Sequence, residues 1–432
     1  MKYLSVAISI ILSGISAFAS NNLTSVQKAS ILSKFSTEVK YNFVHYNKVK
    51  NYWDSLYNES FERIVNTPDD YSFIREMERL CAELKDGHTN FFMDLKDIPN
   101  EENIRPLPFT TKRIGEKIYV TEVMSSKYLN EGVDIGTEVL EIDGIPAITY
   151  CSEEIEPFIP SSTEQWKKYS GAYNFDLTKK PGNEPTEVTF RNRDGRIFKV
   201  KSSRILKWDI PMNAKKNFII SILPDNIGLL RINSFDNNGN NSFNSEILRA
   251  AIDSLQNTNA LIIDLRDNSG GSSANSDLLL QMLSSDSIPG YTWTTPQYVA
   301  AFASWNRPNQ YYSQTTRTMA GMGLYSKPVV VLQNNGSFSS TENFISLFKG
   351  IKRGITIGEI TGGSTGNPIY INLGYGASAI ICTKNDYQLD GSEFVGIGIK
   401  PDIEVIQTEE IFIGKDNVLE AAINYLNDIL IN

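Results

Sequence analysis

The segment VVVLQNNGSFSSTENF, residues 329–344, joins an apolar run to a stretch with helical spacing. The apolar run predicts a buried strand, and Phe344, Phe348 and Ile351 would line one face of the helix that follows. Three serines lie where the strand would pass into the helix. The segment therefore predicts a strand–turn–helix unit. It also raises the question whether one serine is a nucleophile or whether the serines only cap the helix.

Ser339 is the serine whose position suits catalysis, if it ends the turn. Its hydroxyl would then lie at the helix N-terminus, where unpaired amides and the helix dipole favour negative charge. The amide of Ser340 would be placed to stabilise an oxyanion. The run from Ser339 to Glu342 also fits an S-x-x-E capping box, which needs no catalysis. The segment alone leaves both interpretations open.

The rest of the chain after about residue 217 alternates predicted strands and helices. Its strand segments read NIGLLRINSF, ALIIDLRDNSGG and KPVVVLQNN, and amphipathic stretches such as FNSEILRAAIDSL lie between them. This alternation predicts a layered α/β core with parallel strands. Residues 300–325 interrupt it as an aromatic-rich insertion that could border a cleft.

Two regions of different character precede this core. Residues 23–85 have helical spacing, whereas residues 103–205 alternate and are rich in Val, Ile, Thr and Phe between Gly- and Asn-containing turns. A chain of 432 residues is also too long for one ordinary core. The sequence therefore predicts an α+β multidomain protein.

Charge and the N-terminus restrict the function. The net charge of −9 argues against a nucleic-acid-binding protein, which needs a basic surface. Residues 1–19 contain one Lys, an apolar run and Ala17-Phe18-Ala19, the pattern of a cleaved secretory signal. A retained membrane anchor is the alternative, but the apolar run is short for a span. We expect an exported protein, periplasmic or extracellular, without a membrane span after cleavage.

The cysteines predict neither a disulfide framework nor a metal site. Cys81, Cys151 and Cys382 are far apart and odd in number, and no Cys/His spacing is typical of a metal centre. We therefore expect no metal.

A glycine pair follows the second strand of the predicted core. Gly270 and Gly271 end the segment LIIDLRDNSGG, and their missing side chains let a substrate backbone approach their amides. This suits a second oxyanion donor. A tight strand-to-helix turn is the alternative, and a dinucleotide loop is disfavoured because G-x-G-x-x-G is missing.

The chain contains two histidines, and one of them is a candidate base. His45 lies in a helical pattern and is interpreted as structural, whereas His88 follows Asp86-Gly87 just past a predicted helix. His88 is the better base for a serine nucleophile, unless it too is structural. Glu393 lies in a glycine-punctuated segment and could orient an imidazole as the third member of a triad, or be a surface acid.

Together these segments resemble the S41 peptidase family, which includes C-terminal processing proteases, the tricorn core and retinoid-binding relatives. The resemblance rests on six segments in order: DGHT (86–89), GVDIGTEVLEIDG (132–144), LIIDLRDNSGG (261–271), VVVLQNNGSFSSTENF (329–344), IGEITGGSTG (357–366) and GIGIKPDIEV (396–405). It implies a signal peptide at 1–19, an N-terminal helical region at 20–100, a PDZ-like β-rich module at 103–207 and a crotonase/ClpP-like α/β catalytic domain at 215–430.

The resemblance also implies which residues are catalytic. The family nucleophile stands three residues before the Glu of the elbow helix, which implies Ser339. The processing proteases carry a catalytic Lys in a GE-x-T-x-G-K block, where this chain has Ser364, so that dyad is lost. The tricorn-like branch uses a His in the block that contains His88, with a downstream Glu for which Glu393 is the candidate. The Ser before the tricorn His is Gly87 here, so the auxiliary hydroxyl is missing.

The implied function is a serine-type endopeptidase acting on polypeptides through an acyl-enzyme. Ser339 would be the nucleophile and His88 the base, oriented by Glu393, with the Ser340 amide and that of Gly270 or Gly271 holding the oxyanion. The family chemistry needs no cofactor. A catalytically silent protein that binds peptides or apolar ligands on the same fold is the alternative, and an esterase is a further one. The segment FTTKRIGEKIYV of the PDZ-like module has little glycine for a carboxylate nest, which favours a role in shaping access to the cleft.

Overall fold

The computed structural model describes most of the chain. The described residues are 22–93, 104–181, 184–204, 209–213, 216–237, 242–308 and 310–431. The predicted signal sequence at 1–19 lies outside them. Within these ranges, no helix has the length and apolar character to cross a membrane.

The N-terminal part is helical, as predicted. Its helices are α1 (Ser25–Asn42), α2 (Tyr46–Val65) and α3 (Asp70–Ala82). Thr24 and Gln27 form a capping box on α1, and Asp69 accepts a hydrogen bond from the Ser72 amide to cap α3. These side chains fix where α1 and α3 begin.

The N-terminal helices share their hydrophobic core with a distant hairpin. The hairpin consists of β17 (Ile369–Gly374) and β18 (Ala377–Ile381), and β1 (Asn90–Met93) pairs antiparallel with β18. Phe35 and Trp53 of the helices and Ile381 of the hairpin are fully buried in this core. The loop between α3 and β1 is therefore held against the C-terminal part of the chain.

The predicted β-rich module is confirmed as an antiparallel sheet with the strand order β3-β4-β5-β8-β9. The strands of this sheet are β3 (Phe109–Ile114), β4 (Lys117–Val123), β5 (Glu138–Ile142), β8 (Thr186–Arg191) and β9 (Ile197–Ser202), and β6 (Ile145–Pro146) pairs with β5. A separate two-stranded sheet consists of β2 (Ile104–Arg105) and β7 (Lys180–Pro181). The helices of the module are α4 (Ser126–Glu131), α5 (Ala147–Tyr150) and α6 (Glu164–Ala172). The buried rings of Phe109, Tyr128 and Phe190 pack against one another in its core.

The predicted α/β core is confirmed as a sheet that is parallel except for its first strand. Its strands, in spatial order, are β10 (Phe218–Leu223), β11 (Ile227–Ile232), β12 (Ala260–Asp264), β15 (Val329–Gln333), β16 (Ile355–Gly358) and β20 (Ile403–Glu404). The helices that cover it are α7 (Ser245–Leu255), α8 (Ser273–Leu283), α10 (Ser340–Gly350) and α11 (Asn417–Ile431).

Both faces of this sheet are covered. Ile263 and Val331 pack on the side of α7, α8 and α10, whereas Ile262 and Val330 pack on the side of α11. Burial on both faces explains why β12 and β15 are continuous apolar runs. Since these two strands are parallel neighbours, the turns that leave their carboxyl ends meet at one edge of the sheet.

The insertion predicted at 300–325 lies partly in a small separate sheet. This sheet consists of β13 (Thr292–Gln297), β14 (Gln310–Thr315) and β19 (Asn385–Asp386), and α9 (Ala300–Ser304) lies between its first two strands. Trp305, Tyr311 and Tyr312 are exposed.

Candidate active site

Ser339 lies at a strained turn between β15 and α10. Its backbone angles, φ 59° and ψ −126°, are rare for a residue with a side chain. Among the described residues, its hydroxyl makes no capping bond to α10. The capping box that the sequence allowed is therefore not formed, and the Ser339 hydroxyl contacts another group instead.

That group is the imidazole of His88. Its Nε2 lies 2.9 Å from Ser339 Oγ, and the His88 side chain is buried. Asp86 Oδ1 accepts hydrogen bonds from the His88 amide at 3.0 Å and from Thr89 Oγ1 at 2.9 Å. These bonds shape the loop before β1, so the structure brings the predicted nucleophile and base together.

The other ring nitrogen of His88 contacts a serine that sequence reasoning missed. Nδ1 lies 2.8 Å from Ser364 Oγ. Ser162 Oγ donates to Ser364 Oγ at 3.1 Å and accepts a hydrogen bond from the Gly87 amide at 3.1 Å. The sequence does contain a signal for Ser364, because this residue takes the place of the catalytic lysine in the GE-x-T-x-G-K block of the processing proteases.

Glu393 does not take the position predicted for it. It is exposed in a turn, where it forms a β-bridge with Tyr387. No hydrogen bond or ion pair between described residues joins Glu393 to His88, whose Nδ1 is already bonded to Ser364. This corrects the prediction: a serine hydroxyl, and not the Glu393 carboxylate, contacts the imidazole.

Glu342 is the buried carboxylate of the site, and it holds backbone in place. It accepts hydrogen bonds from the amides of Gly363 at 2.7 Å and Ser364 at 2.8 Å, and from the Thr361 hydroxyl. Burial raises its pKa to about 7, while these hydrogen bonds act in the opposite direction. Glu342 thereby ties the 361–364 loop to α10 and places Ser364 beside His88.

The glycine pair lies against the nucleophile. Gly270 has φ 96°, and a Cβ there would lie 2.7 Å from both Phe338 O and Ser339 Cβ and 2.9 Å from Ser340 N. Only glycine allows this approach. The Gly270 amide donates to Asn268 Oδ1 at 2.9 Å. Within the described chain, no hydrogen bond is found for the amides of Gly271 and Ser340, so these two are the free donors.

The electrostatics keep His88 neutral. Burial, together with the nearby positive charge of Lys384, lowers the pKa of His88 from 6.5 to about 4. An unprotonated imidazole is the form that can accept a proton, so His88 is prepared to act as a base at neutral pH.

A serine hydroxyl bonded to a neutral imidazole, with free amides at one sheet edge, is the arrangement typical of serine hydrolases. Residues 226–405 match the sequence model of peptidase family S41, which confirms the predicted resemblance. The chain thus carries an S41 peptidase domain. The matched segment contains Ser339, the glycine pair and Ser364, whereas His88 lies before it.

Solved structures share the fold over nearly the whole chain. The crystal structure of mature CPAF has a TM-score of 0.71 at 15% identity, covering 94% of this chain and 97% of that one. A putative peptidase from Parabacteroides merdae has a TM-score of 0.53 at 18% identity, covering 94% and 97%. The tricorn protease has 0.51 at 15% identity, covering 94% of this chain and 37% of that one. The multidomain α+β fold is therefore confirmed.

Replacing Glu342 tests its structural role. Glu342→Ala is expected to lower the free energy of unfolding by about 3 kcal/mol, because each buried donor left without an acceptor costs about 1–3 kcal/mol. Urea unfolding of the purified protein measures this change. Glu393→Ala, which removes an exposed carboxylate of the same domain, is the control and should change unfolding by less than about 0.5 kcal/mol. Equal effects of the two substitutions would contradict the role given to Glu342.

Proposed function

We propose that the protein is an exported serine peptidase that hydrolyses peptide bonds through an acyl-enzyme on Ser339. The observation that carries the proposal is the 2.9 Å contact between Ser339 Oγ and His88 Nε2 at a strained turn. The match to peptidase family S41 supports peptidase activity. The A-x-A pattern at Ala17–Ala19 supports export.

The chemistry begins with proton transfer. His88 Nε2 accepts the proton of Ser339 as Oγ attacks the carbonyl carbon of the substrate. The carbonyl oxygen becomes an oxyanion, which accepts hydrogen bonds from the amides of Ser340 and Gly271. Each such donor contributes about 3–4 kcal/mol to stabilising the transition state.

The remaining steps return the enzyme to its starting form. The protonated His88 gives its proton to the leaving amine as the peptide C–N bond breaks. A water molecule then loses a proton to His88 and attacks the ester carbonyl of the acyl-enzyme. Ser339 Oγ leaves and takes the proton back.

Ser364 acts as a positioning residue in this mechanism. Nε2 accepts a proton only in the tautomer that carries hydrogen on Nδ1, and that N–H donates to Ser364 Oγ. The second hydroxyl, from Ser162, donates to Ser364 and holds it. Two hydroxyls thus take the place of the acid in a Ser-His-acid triad.

The β-rich module, proposed as residues 103–207, shapes access to the site and contributes to it. β3 is an edge strand, but the backbone of Asn174 already pairs with Thr111 there, with N–H···O distances of 2.8 and 2.9 Å. A peptide could add to β3 at this point only by displacing Asn174. A polypeptide substrate therefore binds at the edge of the α/β core, proposed as residues 215–430, and not by strand addition at Thr111.

The nucleophile can be tested without knowing the substrate. A fluorophosphonate probe should label the wild-type protein on Ser339, and Ser339→Ala should not be labelled, because the probe reacts only with an activated hydroxyl. Mass spectrometry of the labelled protein identifies the modified residue. Ser346→Ala, another buried serine on α10, is the control and should be labelled like wild type.

Three results would argue against this proposal. Wild-type protein that is folded but unlabelled, and inactive on unfolded polypeptides, would favour a catalytically silent binding protein. Labelling of a residue other than Ser339 would refute the nucleophile. Turnover of small esters without cleavage of any peptide in a mixed library would favour an esterase.

Ser364 has its own test. Ser364→Ala should lower kcat by about 10- to 100-fold with little change in KM, because the imidazole loses the partner that fixes its tautomer. Ser364→Thr keeps the hydroxyl and should recover most of the activity. Cleavage of a peptide that wild type turns over, or the rate of fluorophosphonate labelling, measures both variants. The same loss in both variants would show that packing, and not the hydroxyl, is what matters.

The pH dependence follows from the environment of His88. Protonation of His88 abolishes its function as a base, so the labelling rate should fall on acidification with a midpoint near 4 instead of 6.5. Lys384→Gln removes a positive charge that disfavours protonation, so its midpoint should move to higher pH. Exposed Lys400→Gln is the control. A wild-type midpoint at 6.5, or a downward shift in Lys384→Gln, would contradict this description.

A further inference from the structure

A second group of reactive side chains is buried next to the loop that carries His88. It consists of His45, Asp86 and Cys382, and one ligand atom of each, the sulfur in the case of Cys382, lies within 4.8 Å of the others. His45 directly precedes α2, Asp86 lies in the loop between α3 and β1, and Cys382 directly follows β18. The mechanism above uses none of these three atoms.

Two of the three atoms are buried without a partner. Among the described residues, neither His45 Nε2 nor Asp86 Oδ2 has the geometry of a hydrogen bond, although Asp86 Oδ1 accepts two and the Cys382 thiol interacts with the Asp86 carboxylate. No Lys or Arg of the described chain forms an ion pair with Asp86. Buried polar atoms are nearly always paired, and an unpaired one costs about 1–3 kcal/mol. A cation bound between His45 and Asp86 would give both atoms a partner.

The donor set identifies the kind of group. Imidazole nitrogen, carboxylate oxygen and thiolate sulfur are together the ligands of zinc and similar divalent cations. The carboxylate and thiolate of Asp86 and Cys382 carry two negative charges, which would balance a divalent cation, so the buried site would carry no net charge. Ligand atoms around tetrahedral zinc lie about 3.5 Å apart, whereas these atoms lie within 4.8 Å of one another, so no pair needs to approach by more than about 1.3 Å.

The site also has a route from solvent. His45 lines a surface cavity of about 250 Å³ together with Lys48, Tyr52, Leu84, Ser162 and Val395. A water molecule from this cavity can complete the coordination. Lys48 and Lys85 both line this cavity and disfavour cation entry by their charge, but both are exposed, whereas both anionic ligands are buried.

We propose that His45 Nε2, Asp86 Oδ2 and Cys382 Sγ bind a zinc-class divalent cation, with water as the fourth ligand. Binding releases the proton of the Cys382 thiol to solvent. The ion joins the start of α2, the His88 loop and the end of β18, which are distant in sequence, and so fixes the loop that positions the base. His88 is not a ligand, since both of its ring nitrogens are bonded to serines. The site does not depend on the proposed peptidase mechanism.

Metal content after removal and reloading tests the site. The purified chain is stripped with a chelator under reducing conditions, reloaded with Zn²⁺, dialysed and analysed by mass spectrometry for bound metal. We expect about one ion per chain in wild type, as for a site with three protein ligands and a water molecule. We expect little in His45→Gln and Cys382→Ser. Cys151→Ser is the matched control, because Cys151 is also a buried free thiol but lies in the β-rich module. It should bind zinc like wild type.

Two further measurements keep the test decisive if a variant fails to fold. Co²⁺ loaded into the wild-type site should give the near-ultraviolet charge-transfer band of a thiolate ligand, and Zn²⁺ added to the stripped wild type should raise its Tm. Wild-type protein that retains no metal and shows neither effect would overturn the proposal. Equal zinc retention by wild type, His45→Gln and Cys382→Ser would also overturn it.

Discussion

The hydrogen bond between Ser339 Oγ and His88 Nε2 depends on two parts of the chain that fold around different cores. Ser339 belongs to the central sheet, whereas His88 belongs to the loop that follows the N-terminal helices. The two parts are joined because β1 pairs with β18, and because the helices share their core with the β17–β18 hairpin. The reactive pair therefore exists only when this joint core is complete, and the stability of the core directly determines the geometry of the site.

The division of roles between carboxylate and hydroxyls follows from burial. Glu342 is fully buried and satisfied by two backbone amides and one hydroxyl, so its charge is used to fix the 361–364 loop. Asp86 is already a buried carboxylate in the His88 loop, so a further carboxylate at His88 Nδ1 would add buried charge, which is costly in a low-dielectric interior. The hydroxyl of Ser364 avoids this cost. The Ser364 hydroxyl stabilises a protonated His88 ring less than a carboxylate would, because a hydroxyl carries no negative charge and hydrogen bonds are stronger when the acceptor is ionised.

The fold and the main reactive groups follow from local patterns in the sequence. Continuous apolar runs predict the buried strands, and the turns at Gly271 and Ser339 meet because parallel strands bring their carboxyl ends to one edge. His88 follows α3 and not a strand of this sheet, so its place beside Ser339 is predicted only by the resemblance to the S41 family. The contacts of the imidazole could not be predicted in this way. Glu393 lies exposed in a turn. Ser364 contacts His88 because the Ser364 amide donates a hydrogen bond to buried Glu342, which fixes the 361–364 loop. Both outcomes depend on tertiary packing and have no periodic signal.

Stacked aromatic rings connect the β-rich module to the candidate active site. Trp166 of α6 stacks on Phe338 with centroids 3.9 Å apart, and Phe338 stacks on the His88 ring at 4.8 Å with an interplanar angle of 8°. Phe338 directly precedes the nucleophile, so one ring contacts both the module and the base. Thr163 of the same module donates to Gly362 O at 2.6 Å. A displacement of α6 would therefore shift the imidazole through Phe338 and the Ser364 loop through Gly362. The module thus constrains both sides of His88 through ring stacking and hydrogen bonds, whether or not it binds a peptide itself.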